Sequence, residues 1–304
     1  MHRQKDRAPG LREVLLVWTV FGAVALAVLV TYARLPPSDL YNVDDDGLAG
    51  GAGRALVFLN YPVALAAVAI LAVVADRLGT RATSVLAAVA AVLCAAVAWP
   101  GVVDQSDLDA RPVNAVPAAG VALAAGLTGL ALARGGLGAR APRSRWDPVR
   151  LVVAGVLVAA ALPWLAADLG LSLGGPFLSD EPRPEPGQPQ LTAVHLGHHH
   201  GLDGTLLALA ALALSRVVPQ ASGRLRPLLG FYVALMLVYG VANALQDFWL
   251  EQLVKRGATS LELPSMIRPG LTPAWAAIVA AALVIQLAAG RVGRFGPLRQ
   301  GGTR

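Results

Sequence analysis

The stretch HLGHHHGLDG, residues 195–204, holds four of the chain's five histidines beside an aspartate. Imidazoles at i and i+4 of a helix share a face and can converge on one ion. A carboxylate one turn further on serves as a third ligand or orients a histidine by hydrogen bond. In a helix starting near Thr192, at about 100° per residue, His195, His198, His199 and Asp203 share an arc of about 140°, and His200 points elsewhere. This nitrogen and carboxylate set suits zinc or another first-row divalent metal better than calcium or magnesium. Such a metal polarises an ester and activates water. Gly197, Gly201 and Gly204 oppose a helix here, each by about 1 kcal/mol in an interior position. The competing readings are a proton-responsive patch and a solvated loop at a membrane edge.

A second set lies further along the chain. Tyr232, Tyr239, Asn243, Asp247 and Glu251 follow one another at spacings of 7, 4, 4 and 4, a polar stripe on one helix face that ends in two acids. Carboxylates near a bilayer are costly unless they face a bundle interior, water or a partner, so Asp247 and Glu251 are candidate catalytic partners of the histidines. Glu251 paired with Lys255 at i,i+4 is the structural alternative. A third set is DDDGLAGGAGR, residues 44–54. Glycines ahead of a helix N-terminus can cradle an anion, with Arg54 on a lipid phosphate, while Asp44, Asp45 and Asp46 could gather a cation or pair with Arg54.

HLGHH matches the HxxHH spelling of the histidine boxes in membrane fatty acid hydroxylases and desaturases. Those enzymes hold two irons with several boxes on the cytoplasmic side. Only His2 lies outside this cluster and the expected side is the opposite one, so that reading is excluded. The acidic triplet resembles the first outer loop of membrane glycosyltransferases that use lipid-phosphate sugar donors, which implies an enzyme.

The elements that must position these groups are apolar helices. Of 304 residues, 56% are hydrophobic and 14% charged, against about 25% charged in soluble domains, and mean hydropathy is +0.59. About 20 apolar residues cross a bilayer. Eight runs qualify, near 14–33, 55–75, 82–99, 113–133, 150–168, 203–219, 227–249 and 272–290, and predict an all-α membrane bundle forming one domain. The first run is too long for a signal peptide core, and Cys94, the only cysteine, sits within an apolar run.

Alternate segments carry 18 of the 25 Lys and Arg, which places both termini in the cytoplasm and the histidines outside the plasma membrane. The opposite segments hold 15 of the 19 acids. This division accounts for the net charge of +6 without nucleic acid as a partner. The expected partners are the bilayer and a lipid or small molecule at the outer face. DDDGLAG and HHHGLDG each precede the second span of a four-span half, which raises a parallel 4+4 repeat. The proline-rich stretch 170–192 reads as an outer loop. Three functions fit: metal-dependent chemistry on a lipid or headgroup, ion- or proton-coupled transport, and a scaffold without a small-molecule site.

Overall fold

The computed structural model describes residues 9–40, 42–104, 108–171, 194, 196 and 200–292. Among these the chain forms eight helices and no strand: α1 Arg12–Arg34, α2 Gly47–Leu78, α3 Arg81–Ala98, α4 Pro112–Gly135, α5 Asp147–Asp168, α6 His200–Leu214, α7 Leu225–Val254 and α8 Pro273–Val292. The six from α1 to α5, with α7, are long and apolar enough to cross a membrane, whereas α6 and α8 are shorter apolar helices. The punctuation is local. Gly79 takes a left-handed conformation (φ 62°) that ends α2, and Thr80 Oγ1 accepts the Thr83 N–H to open α3 two residues later.

The middle of the bundle is α2. Of its apolar stretch 78% is buried, and it packs against α1, α3, α4, α6 and α7. The equivalent stretches of α1, α3 and α5 are 28% buried and turn Leu16, Leu26, Val92 and Leu151 outward. An apolar exterior around an apolar core is the pattern of a bundle solvated by hydrocarbon. The first and second four helices do not share one neighbour pattern: α2 lies against both α3 and α4, whereas α8 packs mainly on α7.

Successive helices run in opposite directions, which gives two chemically distinct ends. At the basic end the Arg77 guanidinium donates to the carbonyls of Pro9, Gly135 and Gly136. Arg150 donates to Asp147 Oδ1 and Ser215 Oγ, and Arg216 pairs with Glu13 and Asp147. At the acidic end the chain before α2 lies beside the chain before α4: the Asp44 and Asp45 amides donate to the Asp109 carboxylate, and the Leu108 amide to the Asn42 carbonyl.

Three details depart from the sequence expectation. The glycines of DDDGLAGGAGR do not form a loop ahead of a helix, because α2 begins at Gly47 and Gly51 packs on α1, where a Cβ would lie 2.3 Å from the Leu29 carbonyl oxygen. Of the helix expected from near Thr192, the described residues Val194 and Leu196 are bends, and the described part of α6 starts at His200. His195, His198 and His199 themselves lie outside the described residues. Third, α8 does not start level with the end of α7. It starts beside the middle, with the Trp275 ring 5.0 Å from the Tyr239 ring, and runs to Gln286, whose amide donates to the Pro227 carbonyl near the start of α7.

The segment 255–272 therefore descends along α7 before α8 begins. Its backbone is satisfied by side chains: Trp249 Nε1 donates to Leu261 O, the Met266 amide to Gln246 Oε1, Trp275 Nε1 to Met266 O, and the Tyr239 hydroxyl to Ile267 O. Extended backbone at membrane depth requires such partners, and the polar residues of α7 supply two of them. We call this segment the strap.

Candidate functional site

Five helices bring ionisable or aromatic side chains together at the acidic end. The last turn of α1 contributes Tyr32, α2 contributes Arg54, the end of α5 contributes Trp164 and Asp168, the start of α6 contributes Asp203, and the end of α7 contributes Asn243, Asp247 and Glu251. All are buried: Arg54 is 1% exposed, Asp203 2% and Glu251 3%. Asp168 and Asp203 interact with the Arg54 guanidinium, and Asp247 and Glu251 are buried at the same end, a concentration of acid that suits a cation or proton.

The Arg54 guanidinium lies 5.5 Å from the Tyr32 ring centroid and interacts electrostatically with Asp203 and Asp168. Tyr32 closes this part of the cluster by donating its hydroxyl to Asp168 Oδ1 at 3.3 Å. The sequence reading put Arg54 on a lipid phosphate or on Asp44–Asp46. Arg54 is buried, and Asp44, Asp45 and Asp46 are exposed on the surface.

The start of α6 is held from two sides. The Gly201 amide donates to Asp247 Oδ2 at 2.7 Å, a carboxylate on the positive end of a helix. The Trp164 ring lies so close to Gly201 that an added Cβ would meet it at 2.3 Å, and its indole N–H donates to Glu251 Oε2 at 2.7 Å. A π-helical turn, Leu250–Val254, continues α7 and carries Glu251. One turn below, α6 and α7 meet at Gly204 and Gly240, where no side chain separates the backbones.

A second polar layer lies towards the bundle centre. Pro62 breaks the α pattern of α2 into a π-helical turn, Leu59–Val63, and Asn60 donates to the Leu56 and Asn114 carbonyls. Asn114 in turn donates to Asn60 Oδ1 and to the Val102 carbonyl. The Tyr61 hydroxyl donates to that of Tyr239, and Asp203 is near enough to both tyrosines to interact electrostatically. Asn243 donates to the Tyr239 carbonyl.

The structure thus brings Asp203, Asp247, Glu251, Asn243, Tyr239 and Arg54 to the same end of the bundle, with Asp247 one hydrogen bond from the residue after His200. The three carboxylates do not converge: each serves a different partner. Among the described residues no three His, Cys, Asp or Glu side chains are placed to hold one metal ion. Sequence reasoning passed over Tyr32, Trp164 and Asp168. The signal was there, since Trp164 and Asp168 stand four apart at the end of the fifth span, the spacing that marked Asp247 and Glu251. No family model matches this chain, and neither a curated protein nor a solved structure is similar to it.

Proposed function

We propose that this is a multi-pass integral membrane protein of eight spans, α6 and α8 included, with both termini cytoplasmic and a one-sided ionic site at its outer end. The observation that supports the reading is the hydrogen bond from the Gly201 amide to Asp247, because it docks a carboxylate-bearing helix against the residue that follows His200. In this reading His195, His198 and His199 supply nitrogen ligands and Asp203 an oxygen ligand to zinc or another first-row divalent metal. The metal polarises an ester of a lipid or headgroup and activates water. Asp247 and Glu251 are positioning residues: one fixes the start of α6 and the other fixes Trp164.

The alternative is an ion- or proton-coupled transporter, favoured by the buried Arg54, Asp168 and Asp203. Transport needs polar groups to continue across the bilayer. Below Tyr61 the central helix instead presents Ala66, Ala67, Ala69, Ile70, Leu71, Val73 and Val74, all buried and apolar, which favours a site reached from one side. A scaffold role leaves the excess of buried acid without a use.

The test is metal analysis of protein purified without chelators, wild type against His195→Ala/His199→Ala. About one metal per chain in the wild type, lost in the variant, is the expected result. No metal in either sample overturns the proposal.

A further inference from the structure

A cavity of about 430 Å³ lies between α2, the end of α3, α7, the strap and the start of α8. Its walls include Leu65, Val97, Trp99, Met236 and Trp275, together with the three tyrosines of the polar layer. Those tyrosine hydroxyls are already engaged: Tyr61 with Tyr239, Tyr239 with Ile267 O, and Tyr232 with Leu65 O at 2.8 Å. A wall whose polar groups are spent internally offers nothing to a sugar or nucleotide. It suits a hydrocarbon chain, which needs area and no hydrogen bonds.

Among the described residues one charged side chain lines the cavity, Arg268 on the strap. It is exposed and has no ion pair or hydrogen bond among the described residues. Its depth follows from its neighbour, because the Ile267 carbonyl is held by Tyr239, eight residues along α7 from Asp247. At about 1.5 Å per residue, the strap there lies about 12 Å further towards the bundle centre than Asp247. A guanidinium at such depth requires an anion or water. Beside the cavity, Trp99 is 74% exposed and Leu271 wholly so, leaving an apolar rim open to the surrounding hydrocarbon.

We propose that this cavity takes one acyl chain of an anionic phospholipid from the bilayer, with the lipid phosphate on Arg268. An apolar chamber with engaged hydroxyls, a lone cation at its mouth and an apolar rim match the two ends of that ligand. The volume sits near the lower end of the usual range for small-molecule pockets, about 300–1,000 Å³, and fits one chain better than two. Asp203, Asp247 and Glu251 are not among the described residues that line this cavity, so the two readings rest on different side chains and are tested separately.

The test is quenching of tryptophan fluorescence in detergent-solubilised protein by phosphatidylglycerol with dibrominated acyl chains, against the phosphatidylcholine of the same chains. Saturable quenching at concentrations at least tenfold lower for phosphatidylglycerol is expected. Trp99→Phe/Trp275→Phe should remove most of the saturable component, and unbrominated phosphatidylglycerol should reverse the quenching of the wild type. Arg268→Gln, at an exposed position, should bring phosphatidylglycerol down to the phosphatidylcholine level, and Val103→Phe, which takes up cavity volume, should weaken both. Equal quenching by the two lipids, or quenching indifferent to Arg268→Gln, overturns the proposal. Saturation that survives Trp99→Phe/Trp275→Phe unchanged places the lipid elsewhere and overturns it equally.

Discussion

Replacing Gly240 with alanine tests whether the acidic end depends on the contact between α6 and α7. A Cβ at Gly240 would lie 2.5 Å from the Gly204 carbonyl oxygen and 2.8 Å from the Ala208 amide nitrogen, against 3.4–4 Å for ordinary contact. Both obstacles are backbone, so the helices must separate by about 1 Å, and overpacking of this kind costs about 1–3 kcal/mol. Asp247 is seven residues away, about 10 Å along the helix. The same displacement stretches its 2.7 Å bond to Gly201 beyond hydrogen-bonding range, at about 1.5–3 kcal/mol for a bond to a charged group. The expected loss is about 2.5–6 kcal/mol, or roughly 5–24 °C in Tm at about 2–4 °C per kcal/mol.

The control is Gly129→Ala on the outer face of α4, where a Cβ meets nothing within 4 Å and the only effect is the gain in helix propensity, about 1 kcal/mol. Thermal unfolding in detergent, followed by tryptophan emission, compares the two. If both variants melt together within about 2 °C, the crossing does not hold the site and the reasoning is wrong.

Other perturbations separate the remaining contacts. Glu251→Ala removes the acceptor of the buried Trp164 N–H and should lower stability by about 1–3 kcal/mol, while Glu251→Gln keeps an acceptor and should retain most of it, both read as Tm. Arg54→Met leaves Asp168 and Asp203 without their buried cation and should cost about 3–5 kcal/mol. Adding Asp203→Asn should recover part of that loss, and a strictly additive double variant would show that the two groups do not interact. Tyr239→Phe releases the Ile267 carbonyl, so limited proteolysis of protein in lipid nanodiscs should cut the strap several-fold faster than in the wild type.

Helix number and approximate position were legible because burial in hydrocarbon leaves long apolar runs, and each of the eight runs has a helix. Asp247 and Asn243 were legible for the same reason, as exceptions within such a run. What escaped depends on pairing across the chain. Arg54 stands ten residues from Asp44 in sequence, yet in the folded bundle it interacts with Asp168 and Asp203, which no local pattern reveals. The strap drew no reading from the sequence, because its place is set by side chains of Trp249, Gln246, Tyr239 and Trp275 that bond backbone groups up to 28 residues away. The glycines of α2 and α6 suggested loops and breaks. Gly51 and Gly204 instead serve close helix contact, a use that cannot be told from turn formation without the partner helix.

The position of Arg54 in the central helix also has a consequence for how the protein is made. Its acidic partners belong to α5 and α6, more than a hundred residues later in the chain. At about 5–20 residues per second, the ribosome needs roughly 6–30 s to supply them. Through that interval the nascent chain carries a cation that the hydrocarbon core rejects, so α2 waits with Arg54 reaching for the headgroups until Asp168 and Asp203 arrive.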